Sequence, residues 1–102
     1  MEKIFEALAS TPRRKILAYL SEAELTAGEI AARFEMSKPA ISKHLQILEN
    51  AGLVRSEKHG QFVHYRLVRE NLANTLNGFV QNVCPIAAPL KKESARIRRS
   101  RA

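Results

Sequence analysis

Apolar residues recur at helical spacing through the first half of the chain, and the runs begin at residues that favour helix boundaries. Thr11 followed by Pro12 is typical of an N-cap with proline in the first helical position, so a second helix is predicted to open there. The first helix is predicted at residues 2–9, with an apolar side formed by Ile4, Phe5 and Leu8. The chain is therefore expected to start with two short amphipathic helices.

Two further helices are predicted close together in the middle of the chain. Thr26 and Glu29 have the spacing of a capping box, which marks the start of the third helix. Ser37 is a natural N-cap for the fourth helix, and Gly52 is placed to end it. In the fourth helix the apolar residues at i, i+4 and i+7, which form its buried stripe, are Ile41, Leu45 and Leu48.

After the fourth helix the hydrophobic period switches from about 3.6 residues to about 2. Residues 53–58 and 61–68 form two β-rich runs joined by His59 and Gly60, which predicts an antiparallel hairpin. Apolar residues return at helical spacing from Glu70, and Pro85 is expected to close that last helix. The predicted fold class is mainly α with a β-hairpin wing, in the order of a winged helix-turn-helix.

The fourth helix carries the candidate chemistry on the face opposite its apolar stripe. A rotation of about 100° per residue places hydroxyl, ammonium and amide side chains there, which hydrogen-bond base edges and phosphates in a major groove. Lys38 and the backbone N–H groups from Ser37 onward are expected to bind a phosphate. The hairpin tip is short and basic, as expected of a wing on the DNA backbone. The predicted DNA-binding residues are Ser37, Lys38, Pro39, Ser42, Lys43, His44, Gln46, Lys58, His59 and Gln61.

Residues 36–48, followed by Ala51-Gly52-Leu53-Val54, resemble the recognition helix of the ArsR/SmtB family of bacterial repressors. The resemblance extends over residues 4–83 and includes the wing, residues 58–67. It implies a homodimeric repressor that binds an imperfect palindrome over a promoter, with the first and last helices forming the interface. The implied interface residues are Ile4, Phe5, Leu8, Leu72, Leu76, Phe79 and Val80. Core packing within one chain is the alternative role for the last helix.

The residues that bind metals in many ArsR/SmtB proteins are not matched in this sequence. The family's cysteine positions near the third helix carry residues such as Thr26 and Gly28, and between Glu70 and Val83 there is no histidine. No metal or cofactor is therefore expected, and the chain resembles the metal-free autorepressors similar to the sporulation-delay immunity regulator. His44 has two open interpretations, packing on the helix flank or contacting phosphate. The pattern identifies no effector.

Composition and charge change this interpretation only in part. The chain has 102 residues with 45% hydrophobic content, which predicts one domain at residues 1–84 and a basic tail at 85–102. The net charge is +7, but its distribution is uneven. Residues 91–102 hold six basic and one acidic side chain, and residues 1–90 hold eleven basic and nine acidic side chains. The charge of the folded domain is thus weak support for DNA binding. The tail is interpreted either as phosphate-contacting or as a disordered solubilising end.

Other classes of function are less consistent with these residues. The chain has no aspartate and no glycine-rich phosphate loop, so an enzyme is not expected. A sequence-indifferent architectural DNA-binding protein is the alternative to a repressor. Cys84 is interpreted as a small hydrophobe or, alternatively, as a redox-reactive thiol. With no run of 18 apolar residues and no signal-like start, a cytoplasmic protein is expected, associated with the nucleoid when DNA-bound.

Overall fold

The computed structural model describes residues 2–84 and 89–101. These residues form two compact units, the first ending at Leu72 and the second starting at Ala73. The elements in chain order are α1 (Glu2–Leu8), α2 (Thr11–Leu20), β1 (Leu25–Thr26), α3 (Ala27–Ala31), α4 (Lys38–Asn50), β2 (Val54–His59), β3 (Phe62–Leu67), α5 (Arg69–Val83) and α6 (Pro89–Ser100). The predicted order of four helices, a hairpin and a further helix is confirmed.

The core of the first unit is built from the apolar stripes of the helices and from the start of the hairpin. Ile41, Leu45 and Leu48 of α4 are fully buried, as the i, i+4, i+7 spacing predicts. The other large side chains without exposed surface are Ile16, Ile30 and Leu53. The helix that is predicted to bind DNA is therefore held by its apolar side against the remaining helices of this unit.

Side-chain caps fix where the helices of the first unit begin. Thr26 and Glu29 form the predicted capping box, in which Thr26 Oγ1 accepts from the Glu29 N–H at 3.1 Å and Glu29 Oε1 from the Thr26 N–H at 2.9 Å. These hydrogen bonds lower the pKa of the Glu29 carboxyl, and the bond from the Thr26 backbone N–H contributes most to this effect. The prediction for α2 is wrong by one residue, because Ser10 is the N-cap and Thr11 is already helical.

The sheet contains a strand that the sequence pattern does not predict. The hairpin of β2 and β3 is confirmed, but the predicted turn at His59 and Gly60 is wrong by one residue, because His59 still pairs with Phe62 and the turn is formed by Gly60 and Gln61. β1 adds to the other side of β3, pairing Leu25 with Tyr65 and Thr26 with His64, so the order is β1-β3-β2. Since Thr26 also caps α3, the wing is joined by backbone hydrogen bonds to the start of the helix-turn-helix.

The second unit comprises the rest of α5 and α6. α6 differs from the tail predicted for residues 85–102, because residues from Pro89 to Ser100 are helical. The expected closure of α5 by Pro85 lies outside the described residues, and the domain boundary after residue 84 stays a prediction. Among the helices of residues 2–84 and 89–101, none has the length and apolar character needed to cross a membrane.

Candidate nucleic-acid interface

The outward face of α4 carries the four side chains that were predicted to point toward DNA. Pro39, Ser42, Lys43 and Gln46 are all exposed, while Leu45 on the opposite side has no exposed surface. This face therefore presents a hydroxyl, an ammonium and an amide on a helix of 13 residues that is rigidly held from behind. A major groove admits one such helix, and these groups hydrogen-bond to base edges and phosphates.

The start of α4 combines a cap with an exposed cation. Ser37 Oγ accepts from the Ala40 N–H at 3.3 Å, so the Ser37 hydroxyl stabilises the helix as predicted. Pro39 has no N–H to offer to a phosphate. Of the groups that the sequence predicts to bind a phosphate at this end, Lys38 therefore remains the chief candidate, and its side chain is exposed. Lys38 also lines a groove of about 350 Å³ together with Gln61 and Phe62 of the hairpin, so the structure brings helix and wing residues of the predicted site to one surface.

His44 lies on the flank of α4, where it is half-buried against α2. The Arg13 guanidinium donates to His44 Nδ1 at 3.3 Å, and because a guanidinium has no acceptor, Nδ1 must carry the lone pair. Burial, followed by the positive charges of Arg13 and Lys43, lowers the pKa of His44. The packing interpretation of His44 is thus the one its contacts favour.

Arg13 is a residue of this region that sequence reasoning missed. Besides contacting His44, its Nε donates to the carbonyl of Ala7 at 2.9 Å and its Nη2 donates to that of Glu6 at 3.2 Å. One guanidinium therefore joins the end of α1, the start of α2 and the flank of α4. Its position in a run of three basic residues is too general a signal to single it out.

Two further side chains form hydrogen bonds where α4 leads into the wing. Glu49 Oε2 accepts from both the N–H and the hydroxyl of Ser56, at 3.3 and 2.8 Å, which joins the last turn of α4 to β2. Asn71 Nδ2 donates to the carbonyl of Gly52 at 2.8 Å, which joins the start of α5 to the turn after α4. Glu49 therefore connects α4 to the wing and Asn71 connects α5 to the turn between them, and the sequence pattern singled out neither residue.

The wing tip is polar and exposed, as predicted. Lys58, His59 and Gln61 are all exposed, and Gly60 turns the chain with a φ of 64°. His59 Nε2 lies 3.9 Å from Glu57 Oε2, and its ring meets that of His64 edge-on, with centroids 5.0 Å apart. His64 is half-buried on the central strand. The tip thus offers one ammonium, one amide and an imidazole to a polyanion.

Possible metal ligands come together at one place in the described residues. One ligand atom from each of Glu24, Glu57 and His59 lies within 4.8 Å of the others, and all three residues are exposed. Alternation along the strands places Arg55 and Arg66 on the same face of the sheet, where their charges oppose a bound cation. The group therefore resembles an exposed polar face more than an enclosed metal site.

The comparisons with known proteins agree with this geometry. Residues 11–56 match the family model described as bacterial regulatory protein, arsR family. The transcriptional repressor SdpR of Bacillus subtilis is 42% identical over 77 residues, which cover 76% of this chain and 86% of SdpR. An ArsR-like transcriptional regulator from Rhodococcus sp. RHA1 superposes with a TM-score of 0.81 at 32% identity, covering 97% of this chain and 87% of that one.

A third similarity concerns the fold alone. The homodimeric winged helix-turn-helix DNA-binding domain of Mb0332 from Mycobacterium bovis has a TM-score of 0.64 at 24% identity, covering 85% of this chain and 86% of that domain. The fold described above is accordingly a winged helix-turn-helix, as the sequence predicts. The chain belongs to the arsR family of bacterial regulatory proteins and is a DNA-binding transcriptional regulator, not an enzyme.

Proposed function

We propose that this regulator is a repressor that binds a palindromic promoter site as a homodimer, with α4 in the major groove and the wing along the adjacent backbone. The observation that carries the proposal is the exposed polar face of α4, fixed from behind by three fully buried apolar residues. Ser42, Lys43 and Gln46 read the bases, and Lys38 and Lys58 contact phosphates. His59 and Gln61 add polar contacts at the wing tip.

Repression and dimerisation are supported by what is known of similar proteins. SdpR is a transcriptional repressor by name, and the Mb0332 domain is homodimeric. A two-fold dimer presents two recognition helices to half-sites about one helical turn apart, so a symmetric protein implies a palindromic operator. Because promoter DNA is the partner, we place the protein in the cytoplasm, associated with the nucleoid while bound.

We also propose that the repressor works without a thiolate-bound metal at the start of α3. Thr26 Oγ1 is engaged in capping α3, and Gly28 has no side chain. Soft metals prefer thiolate ligands, and neither residue supplies one.

The test begins with selection of bound sequences from a random DNA pool, which identifies the operator. Ser42→Ala, Lys43→Ala and Gln46→Ala are then measured singly and together for binding to the operator and to unrelated DNA. Each lost base contact is expected to reduce discrimination by about 1–3 kcal/mol. The helical circular dichroism of each variant should match that of the wild type, because these side chains are exposed.

Lys15→Ala is the matched control, because it removes one exposed lysine from α2 outside the proposed interface. It should leave the ratio of operator to unrelated binding unchanged. If the triple variant keeps the full preference of the wild type, the assigned face of α4 is wrong. If selection yields no preferred sequence at all, the architectural alternative replaces the repressor, since such a protein binds every sequence with the same steep salt dependence.

A further inference from the structure

α6 arranges the basic residues of the C-terminal segment in an ordered row. Lys92, Arg96 and Arg99 are spaced i, i+4 and i+7, so they lie within about 60° of one another around the helix axis, and all three are exposed. We call these three residues the basic stripe. Arg98 and the following Arg101 lie at least about 100° away from every member of the basic stripe.

The helical conformation gives this charge a geometry that a flexible tail lacks. The seven residue-to-residue steps from Lys92 to Arg99 span about 10.5 Å at about 1.5 Å per step. A DNA strand carries about one phosphate per 3.4 Å along the duplex axis, so the stripe is on the order of three phosphates long. Three cations that are already aligned lose less conformational entropy on binding than three cations on a disordered chain.

Within residues 2–84 and 89–101, the charges of the stripe have no ion-pair partner. Among the described residues, no carboxylate forms an ion pair with Lys92, Arg96 or Arg99. Glu93 is the acidic residue of α6, and helical geometry places it about 60° or more from each member of the stripe. The stripe is therefore a cationic surface that is accessible to an external polyanion.

We infer that α6 binds the sugar-phosphate backbone of DNA through the basic stripe, independently of base sequence. The inference rests on the proposed function, since it assigns a second, non-specific contact to the same DNA complex. The stripe supplies counterion release, which raises affinity for every sequence alike, while the outward face of α4 supplies the preference for the operator.

An anionic membrane surface is the competing partner for a basic helix. A helix that lies in a membrane interface needs a broad apolar face opposite its charges. In α6, Ile97 and Ala95 are the apolar residues among positions 92–100, and they lie about 160° apart around the axis. Two apolar residues on opposite sides of the axis do not form such a face, so DNA is the favoured partner.

The test compares two double variants of the full chain that remove the same charge. Arg96→Gln with Arg99→Gln removes two members of the stripe, and Arg98→Gln with Arg101→Gln removes two arginines from other faces. Binding to operator and to unrelated duplex DNA is measured by anisotropy over a series of salt concentrations. Vesicles of anionic phospholipid are titrated in parallel, and circular dichroism establishes that all chains keep their helix content.

The stripe variant is expected to reduce the slope of log K against log salt by about 1.8 per chain, because each lost phosphate contact contributes about 0.9. Its affinity should fall by the same factor on both DNAs, and the control variant should change the slope by less than half as much. Equal effects of the two variants, or no effect of either, would overturn the inference, as would a loss confined to vesicle binding. If the wild-type protein shows no preference for any operator, only the proposed function is refuted. The salt slopes of the variants can still be measured and still test the inference about the stripe.

Discussion

The hydrogen bonds of Arg13 connect α4 to the first two helices, in addition to the apolar packing of α4. Its guanidinium holds two carbonyls at the end of α1 and the imidazole of His44 on α4. The interaction with His44 requires a neutral ring, since a protonated imidazole has no acceptor and would place a cation beside Arg13 and Lys43. The protonation state of one histidine is therefore linked to the packing of α4.

The first prediction concerns the dependence of stability on pH. The pKa of His44 is lowered in the folded state by burial and by nearby positive charge, so the unfolded chain binds this proton more readily. The contribution is fully present above about pH 6.5, the ordinary histidine pKa, and is lost progressively as the pH falls below it toward the folded pKa. Urea unfolding of the wild type at pH 7.5 and 5.5 should show lower stability at the acid value.

His44→Gln is the informative variant, because the glutamine carbonyl can still accept from Arg13 but does not titrate. Its loss of stability between the two pH values should be smaller than that of the wild type. Any pH dependence that arises elsewhere in the chain is common to both proteins and cancels in the comparison. An identical loss in the two proteins would show that His44 has the same pKa in the folded and unfolded chain.

At the scale of elements, the end of α4 is fixed by a Schellman motif. The Leu53 N–H donates to the Leu48 carbonyl at 3.0 Å and the Gly52 N–H to the Glu49 carbonyl at 3.0 Å. Leu48 and Leu53 are both fully buried, which supplies the hydrophobic contact that accompanies this motif. Gly52 adopts a φ of 78°, a conformation that costs other residues about 1–2 kcal/mol.

The second prediction is that Gly52→Ala destabilises the protein more than Gly60→Ala. Both glycines have positive φ, so both variants carry the backbone cost. A Cβ at Gly52 would lie 3.2 Å from Asn71 Nδ2 and so disturb the hydrogen bond to the Gly52 carbonyl, whereas a Cβ at Gly60 meets nothing within 4 Å. Urea unfolding should show that Gly60→Ala lowers the free energy of unfolding by about 1–2 kcal/mol and that Gly52→Ala lowers it by more. The reverse order would contradict the role given to Asn71.

The elements that could be predicted from sequence are those with local signals. The capping box at Thr26 and the stripe of α4 depend on residues three to seven positions apart, and both are present as expected. β1 is two residues long, too short for alternation to show. The high charge of the last residues led to the prediction of a tail in place of α6, although Pro89 in the first turn of α6 is a helix-start signal. The N-cap of α2 was assigned to Thr11 and is Ser10, because both residue types are good N-caps and the local pattern does not distinguish them.

The exposed face of the candidate site could be predicted from the sequence, but the side chains that hydrogen-bond around α4 could not. The outward residues of α4 follow from the helical period, because each is defined by the buried residue opposite. Arg13, Glu49 and Asn71 instead act through hydrogen bonds to residues 6 to 31 positions away, and such contacts produce no periodic pattern in a sequence. The residues that orient a site are therefore visible only in the folded chain.

At the scale of the whole molecule, the apolar surface of α5 is the strongest reason to expect two copies. Leu76, Phe79, Val80 and Val83 are spaced i, i+3, i+4 and i+7, and each is 36–57% exposed. Ile4, in contrast, is 7% exposed in the core of its own chain, and Leu8 and Leu72 pack against that core. We therefore centre the proposed interface on α5, adding Val83, with Phe5 as a further predicted contact.

The magnitudes indicate that such an interface is sensitive to one added charge. Burying the exposed half of one of these side chains contributes about 1 kcal/mol, or about 8 kcal/mol for the eight in a symmetric pair. Loss of translational and rotational freedom opposes association by about 4–15 kcal/mol. The two free energies are of similar size, so the remaining apolar contacts decide whether the chain dimerises. A carboxylate desolvated in this interface would shift the equilibrium to the monomer.

The last prediction is that Val80→Glu dissociates the dimer while Gln81→Glu does not. The two variants add the same charge at neighbouring positions, but Gln81 is exposed about 150° away from the centre of the apolar stripe. Sedimentation equilibrium should give a dimer for wild type and Gln81→Glu and a monomer for Val80→Glu. Val80→Glu should also lose most of its operator affinity, because a monomer contacts one half-site. A dimeric Val80→Glu protein would move the interface away from α5.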